Sequence, residues 1–197
     1  MRVLLIHAHP VETSYSAQLR DTAKAALERA GHAVDLLSLY DENFDAVLSR
    51  EERLNYHDTG ANITPTIAPY VERVRAAEGV VLVHPVWNFG MPAILKGFFD
   101  RVFVPGVAFR MTEGDKGRLV RCLDNVSKVT VITTYGGPRI RALLVGDPPR
   151  RVARRVLWAV FRPKGPVRYL ALYDMNRNGP AELDGFKAKV AAAMAAF

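Results

Sequence analysis

The sequence predicts an α/β protein, a five-stranded parallel sheet with helices on both faces, in three layers. Three observations carry that expectation. Five short apolar or β-branched runs recur along the 197 residues, separated by segments with helical spacing. The first and third runs are apolar almost throughout, as in strands buried on both faces. Apolar residues make up 49% of the chain, enough for a substantial core.

The elements follow in order. Residues 2–8 (RVLLIHA) form the first strand. Ser14 opens a helix to about Ala30, with Ala17, Leu19, Ala23, Ala26 and Leu27 at helical spacing and Gly31 as its stop. Residues 33–39 (AVDLLSL) form the second strand. Residues 40–65 are polar and long for a plain connection, so they read as a functional excursion. A helix over 66–78 precedes the most hydrophobic strand, 79–86 (GVVLVHPV). The helix over 91–104 has a bulky face of Ile94, Leu95, Phe98, Phe99, Val102 and Phe103. A loop rich in glycine and charge, 113–117, leads to a β-branched fourth strand over 126–134. A long basic helix runs to about Phe161, the fifth strand covers 167–173, and a helix over 181–196 closes the chain. Right-handed crossovers and this length point to strand order 2-1-3-4-5 in one domain over 1–197. Repeats, low-complexity tracts and linkers are absent from the sequence.

Composition narrows the function. One cysteine, Cys122, excludes an internal disulfide, and there is no CxxC or Cys/His cluster for structural zinc. No apolar run approaches the roughly 20 residues of a membrane span, and the first is too short for a signal peptide. The expectation is a soluble cytoplasmic protein. Net charge is +7, and residues 139–168 alone carry +8, from nine Arg and Lys against Asp147. That segment suits a phosphate, an acidic partner or an anionic lipid surface, or is simply a solvated helix face. Nucleic-acid binding is not expected, because Trp158 and Phe161 do not interleave with the arginines and no recognition motif accompanies them.

Ligands of open parallel sheets bind beyond the carboxyl ends of the strands. After the first strand, His9, Thr13, Ser14, Tyr15 and Ser16 stand at a helix start, suited to a phosphate or to ordinary N-capping. After the third come Pro85, Val86, Trp87, Asn88, Phe89 and Gly90. Trp87 and Phe89 could offer a flat apolar surface to a planar ring or plug the core, and Gly90 could take an unusual dihedral. After the fourth come Thr133, Thr134, Tyr135, Gly136 and Gly137, where glycines let amides approach a ligand or simply make a turn. The chain has no GxGxxG, no GxxxxGK[ST] and no GxSxG motif. His7 and His9 share one side of a strand without a placed carboxylate, so no metal site is expected.

The segments LLIHAHPVETSYSAQL (4–19), HPVWNFGMPAILKGFFDRVF (84–103) and VITTYGGP (131–138) resemble the flavodoxin-like NAD(P)H:quinone oxidoreductase family. The resemblance covers about residues 1–140 and implies a flavodoxin-like three-layer fold with a bound flavin, FAD favoured over FMN. It implies that the first loop holds the phosphate, that residues 85–89 line the flavin ring with amides at one polar edge, and that Thr133, Thr134, Gly136 and Gly137 meet the other. The implied reaction is ping-pong: a hydride passes from NAD(P)H to flavin N5, then two electrons pass to a quinone-like acceptor. A homodimer with its active site at the subunit interface is implied as well. Where better-known members carry a Tyr and a His after the glycines, this chain has Pro138–Asp147 with neither, leaving Tyr135 and Arg139 (with Arg141) as candidate catalytic residues. The arginines suggest NADPH as the preferred donor. Two other functions share the fold: a non-catalytic flavodoxin-type electron carrier, and a regulatory subunit of a membrane transport system. The basic stretch 150–164 motivates the second, as a peripheral membrane or partner contact, although a sheet-covering or dimer-interface helix accounts for it equally.

Overall fold

The computed structural model describes residues 1–112 and 117–197. The glycine- and charge-rich loop expected over 113–117 lies outside the described residues, apart from Gly117. Along the chain, β1 (Arg2–His7) leads into α1 (Tyr15–Arg29), β2 (Ala33–Ser38), a short α2 (Arg50–Leu54), α3 (Ala68–Ala76), β3 (Gly79–Pro85) and α4 (Ala93–Val102). A two-stranded antiparallel ribbon, β4 (Phe109–Met111) with β5 (Leu119–Arg121), precedes β6 (Lys128–Thr134). Then come α5 (Arg139–Leu144), α6 (Pro148–Arg151), a π-helical turn (Val152–Leu157), α7 (Trp158–Phe161), β7 (Arg168–Leu172) and α8 (Pro180–Ala195).

The main sheet runs β2-β1-β3-β6-β7, every pair parallel. With the ribbon set aside, this is the expected 2-1-3-4-5 order. Strand alternation builds two cores. Val3, Leu5, Val81, Val83 and Ile132 point to the face covered by α1 and α8. Leu4, Ile6, Val80, Leu82 and Val131 point to the face covered by α3, α4 and the 153–161 segment. Successive side chains of a strand face opposite ways, so a strand clad on both sides must be apolar at every position. Truncating one of its fully buried leucines costs about 2–5 kcal/mol.

Two expectations need correcting. The 40–65 excursion is structural at its centre. Ser49 and Glu52 form a reciprocal capping box on α2, and Glu52 is buried against Arg101 of α4 at 2.6 Å. Gly97 of α4 lies so close to the chain at Ala46 that a Cβ would collide with the Ala46 carbonyl. The single long basic helix is in fact broken once: α5 stops, and α6, the π-helical turn and α7 then run on without a gap from Pro148 to Phe161. After α5, the Gly146 and Asp147 amides donate to Leu143 and Ala142 carbonyls in a Schellman turn. Both residues have positive φ (82° and 47°), and Pro148–Pro149 cannot prolong a preceding helix. Arg162, at φ 42°, ends the last piece. Ala153, Leu157 and Phe161 of this segment are buried in the core, so it covers the sheet. At its far end Phe161 points in, while Trp158 is 43% exposed. Among the described residues, no helix is long and apolar enough to cross a membrane.

Candidate functional site

The loops after β1, β3 and β6 gather at the carboxyl edge of the sheet. β1 ends inside the core at His7, and Ser14 caps α1 by accepting the Ala17 amide at 3.1 Å. The Tyr15 phenol is buried and donates to the Leu183 carbonyl (2.7 Å), tying α1 to α8. The Ser16 hydroxyl is buried against His7 Nε2 (3.3 Å). Three of the five side chains expected to face a phosphate are therefore spent on structure. What this loop offers is main-chain: the Tyr15 and Ser16 amides at the first turn have no partner among the described residues. The exposed Thr13 stands beside them, and no acidic residue occupies that turn. Open amides on the positive end of a fifteen-residue helix suit an anion. His9 accepts the Val11 amide on Nδ1 (3.0 Å), which leaves Nε2 outward. Its ring lies 5.7 Å from that of Trp87, so the first and third loops touch.

The third loop is a tight turn. Trp87 and Gly90 exchange both amide–carbonyl bonds (3.1 and 2.8 Å), and Val86 donates to the Thr134 carbonyl (2.8 Å). The strain falls on Asn88 and Phe89, at φ 47° and 57°. Gly90 has no positive φ and room for a Cβ, contrary to the expectation of an unusual glycine. A phenylalanine in the left-handed region is rare, and such outliers concentrate at functional sites. Pro85 has no N–H, and the Val86 and Trp87 amides are taken. Of the loop's amides, those of Asn88 and Phe89 stay open. Trp87 and Phe89 stand 41% and 42% exposed, as platforms, so the core-plug alternative falls.

The fourth loop faces the third across a cavity of about 180 Å³. Val86, Asn88 and Phe89 line one side, and Tyr135, Gly136, Gly137 and Arg141 the other. Complete ligand pockets span about 300–1,000 Å³, so this is one wall of an open site. The Gly136 and Gly137 amides are open, whereas their carbonyls accept from Asn176 (3.3 Å) and Asp174 (2.8 Å). Thr133 is fully buried and its Oγ1 has no partner among the described residues; nor, among them, has Nε2 of its register neighbour His84. Burial holds the imidazoles of His7 and His84 down to about 4, so both are neutral near pH 7. Among the described residues there is no His/Cys/Asp/Glu group that could hold a metal ion.

Tyr135 turns its hydroxyl away from the glycines. It donates to Asp147 (2.6 Å), lies 2.6 Å from the Tyr169 hydroxyl and stacks on Tyr173 at 4.4 Å. Burial, with the Asp147 and Tyr169 hydrogen bonds, raises the phenol far above its ordinary range. Arg150 binds the same carboxylate (3.1 Å). Arg139 is exposed at the start of α5, while Arg141 reaches the cavity wall. Sequence reasoning missed Asp147, Tyr169, Tyr173 and the 174–176 clamp. The carboxyl-edge rule, applied to the fifth strand as well, points to the last of these.

The open amides at two facing loops, two exposed aromatic platforms and an anion-ready helix start fit a planar ring with polar edges and a phosphate tail. Fold and edge loops thus define an open α/β protein of flavodoxin type, with these loops gathered at the carboxyl edge. A family described as "Flavodoxin-like fold" matches residues 1–147, and the chain belongs to that family. NAD(P)H dehydrogenase [quinone] 1 of Cavia porcellus is 32% identical over 158 residues, 72% of this chain. The chain spans little more than half of that protein's length, 56%. FMN-dependent NADH:quinone oxidoreductase of Mycoplasmoides gallisepticum is 27% identical over 144 residues, 70% of this chain and 69% of its own. The crystal structure of Smu.1420 from Streptococcus mutans superposes with TM-score 0.86 over the whole of both chains at 28% identity.

Proposed function

We propose that this chain is a flavin-dependent NAD(P)H oxidoreductase of the cytoplasm that delivers two electrons to a quinone-like acceptor. The observation that carries the reading is the pair of facing loops with open amides, Asn88–Phe89 and Gly136–Gly137. The names of the curated relatives agree with it. A flavin bound there supplies hydride-level, two-electron redox chemistry. The protein's part is to bind, orient and stabilise. Trp87 and Phe89 wall the ring and keep water from one side. The Asn88 and Phe89 amides meet one polar edge, with Pro85 and Val86 as the apolar floor. The Gly136 and Gly137 amides, with Arg141 beside them, meet the edge that gains negative charge, a preorganised field that favours the reduced state. Thr133 Oγ1 is a further unspent group there, and Thr134 anchors the third loop through its carbonyl. The Tyr15 and Ser16 amides, with Thr13 and His9 Nε2, hold the phosphate.

The sequence favoured FAD. The ring and phosphate cradle serves either flavin, and the FMN named for the Mycoplasmoides gallisepticum relative makes FMN the form proposed. Tyr135 keeps its proton on Asp147 and acts by holding the glycine loop. The order of events is ping-pong, because one open face serves donor and acceptor in turn. Arg139 and Arg141 are the cations placed to choose NADPH through its 2′-phosphate. Exposed Ile140, Leu143, Leu144 and Val145, in and just after the helix that carries Arg141 and Ala142 of the cavity wall, are up to 79% accessible at Leu144 and support a homodimer that covers the site. The absorbance spectrum of purified protein, chromatography of the released cofactor, and NADPH oxidation with a soluble quinone test the proposal together. Protein that stays colourless after soaking with FMN and with FAD refutes it. A flavoprotein that does not turn over NADPH with quinone is a carrier instead.

A further inference from the structure

A cavity of about 920 Å³ opens at the amino end of β6 and β7. It lies about 20 Å along β6 from the glycine pair, at ~3.3 Å per strand residue. The rule that places ligands at the carboxyl edge does not account for it. The starts of both strands, the π-helical turn, the 163–167 loop and Ala196–Phe197 form its walls. Lys128, Arg154, Lys164 and Arg168 line it, and no Asp or Glu does. None of the four pairs with a carboxylate among the described residues. Lys128 sits over the Phe197 ring (5.7 Å), and Arg168 donates to the Ala193 carbonyl (2.8 Å). Trp158, on the same wall, stays 43% exposed.

A cleft whose lining side chains carry one sign of charge focuses the field and concentrates counter-ions. Arginine forks suit phosphate, and an exposed indole suits a flat ring. The volume falls at the upper end of the range for small-molecule pockets. We propose that this cavity binds a nucleotide-sized phosphate ester with a planar ring, at a site separate from the redox mouth. Arg154, Lys164 and Arg168 of the basic segment thus face this cavity. The proposal stands independently of the flavin reading.

Trp87 and Trp158 are the two tryptophans of the chain, so Trp87→Phe leaves Trp158 as sole reporter. ADP titrated into the holoprotein with that substitution is expected to change Trp158 emission saturably, with a midpoint below about 1 mM. Arg154 and Lys164 are exposed and hold no side-chain hydrogen bond among the described residues. Arg154→Glu with Lys164→Glu is therefore expected to leave circular dichroism and thermal midpoint unchanged while weakening ADP binding about tenfold or more. Three results overturn the proposal: no saturable change, an ADP titration midpoint that the double variant leaves unchanged, or an equal response to inorganic phosphate at the same concentration. Sedimentation with phosphatidylglycerol vesicles without a response to ADP overturns it as well, in favour of a lipid contact.

Discussion

Two buried carboxylates anchor two departures from the sheet, and their surroundings differ. Glu52 holds α2 and the 40–65 excursion onto α4 through Arg101, with side chains only 6% and 7% exposed. Burial pushes its carboxyl up, but hydrogen bonds from Arg101 and Ser49 outweigh that and hold it below its usual range. Asp147 holds the α5–α6 junction to Tyr135, Tyr173 and Arg150, one residue from the open Gly136 amide. The first cluster closes on itself and serves packing. The second borders the cavity and sets the position of the loop whose amides are proposed to meet the flavin. A buried charge is thus weak evidence for function by itself, and what its partners hold in place decides the matter.

Breaking each cluster separates the two roles. Arg101→Met leaves Glu52 buried and unpaired and is expected to cost about 3–5 kcal/mol in urea denaturation. Flavin affinity of the folded fraction is expected to stay unchanged, and a matching loss of affinity places the excursion in the site.

Acid tests the neutral imidazoles at the site edge. Burial first, then Arg20 and His9, lower His7 to about 4; burial lowers His84 to about 4 as well. The unfolded chain, with ordinary histidines near 6.5, binds more protons between those values. Stability is therefore full above pH 6.5 and falls as pH drops toward 4, by up to about 3 kcal/mol apiece. Denaturation midpoints measured from pH 7 to 4 check it, and a flat profile in the His7→Gln, His84→Gln double variant assigns the effect.

Asp147→Asn is expected to cost about 1–3 kcal/mol, less than Arg101→Met, because Tyr135 can still donate to the amide oxygen while Tyr173 and Arg150 lose the second acceptor. Flavin dissociation, followed by fluorescence, is expected to rise severalfold as the glycine loop loosens. An unchanged dissociation constant puts Asp147 with Glu52 as packing alone. The smallest effect falls at Phe89. Phe89→Gly relieves its positive φ and is expected to stabilise the protein by up to about 1 kcal/mol while weakening flavin binding. Loss of both stability and binding refutes strain at that turn.

The three edge loops were legible in the sequence because strand burial on both faces marks the sheet, and parallel strands put ligands at their carboxyl ends. Within those loops, side-chain roles were not legible. Ser14, Tyr15 and Ser16 present hydroxyls on paper, yet the cap, α8 and His7 take all three. The ribbon β4–β5 was missed because three-residue strands carry too little periodicity to read.

The order of apolar runs and helices determined on its own that this chain folds as a parallel sheet with its mouth at one edge, since periodicity and burial are local properties of the chain. Tertiary structure alone decided which amides stay open, that Asn88 and Phe89 rather than Gly90 carry the strained turn, and that the basic segment lines a cavity at the opposite edge. Each of those depends on which groups from distant segments meet, and hydrogen-bond partners so far apart leave no signal in the spacing of residues.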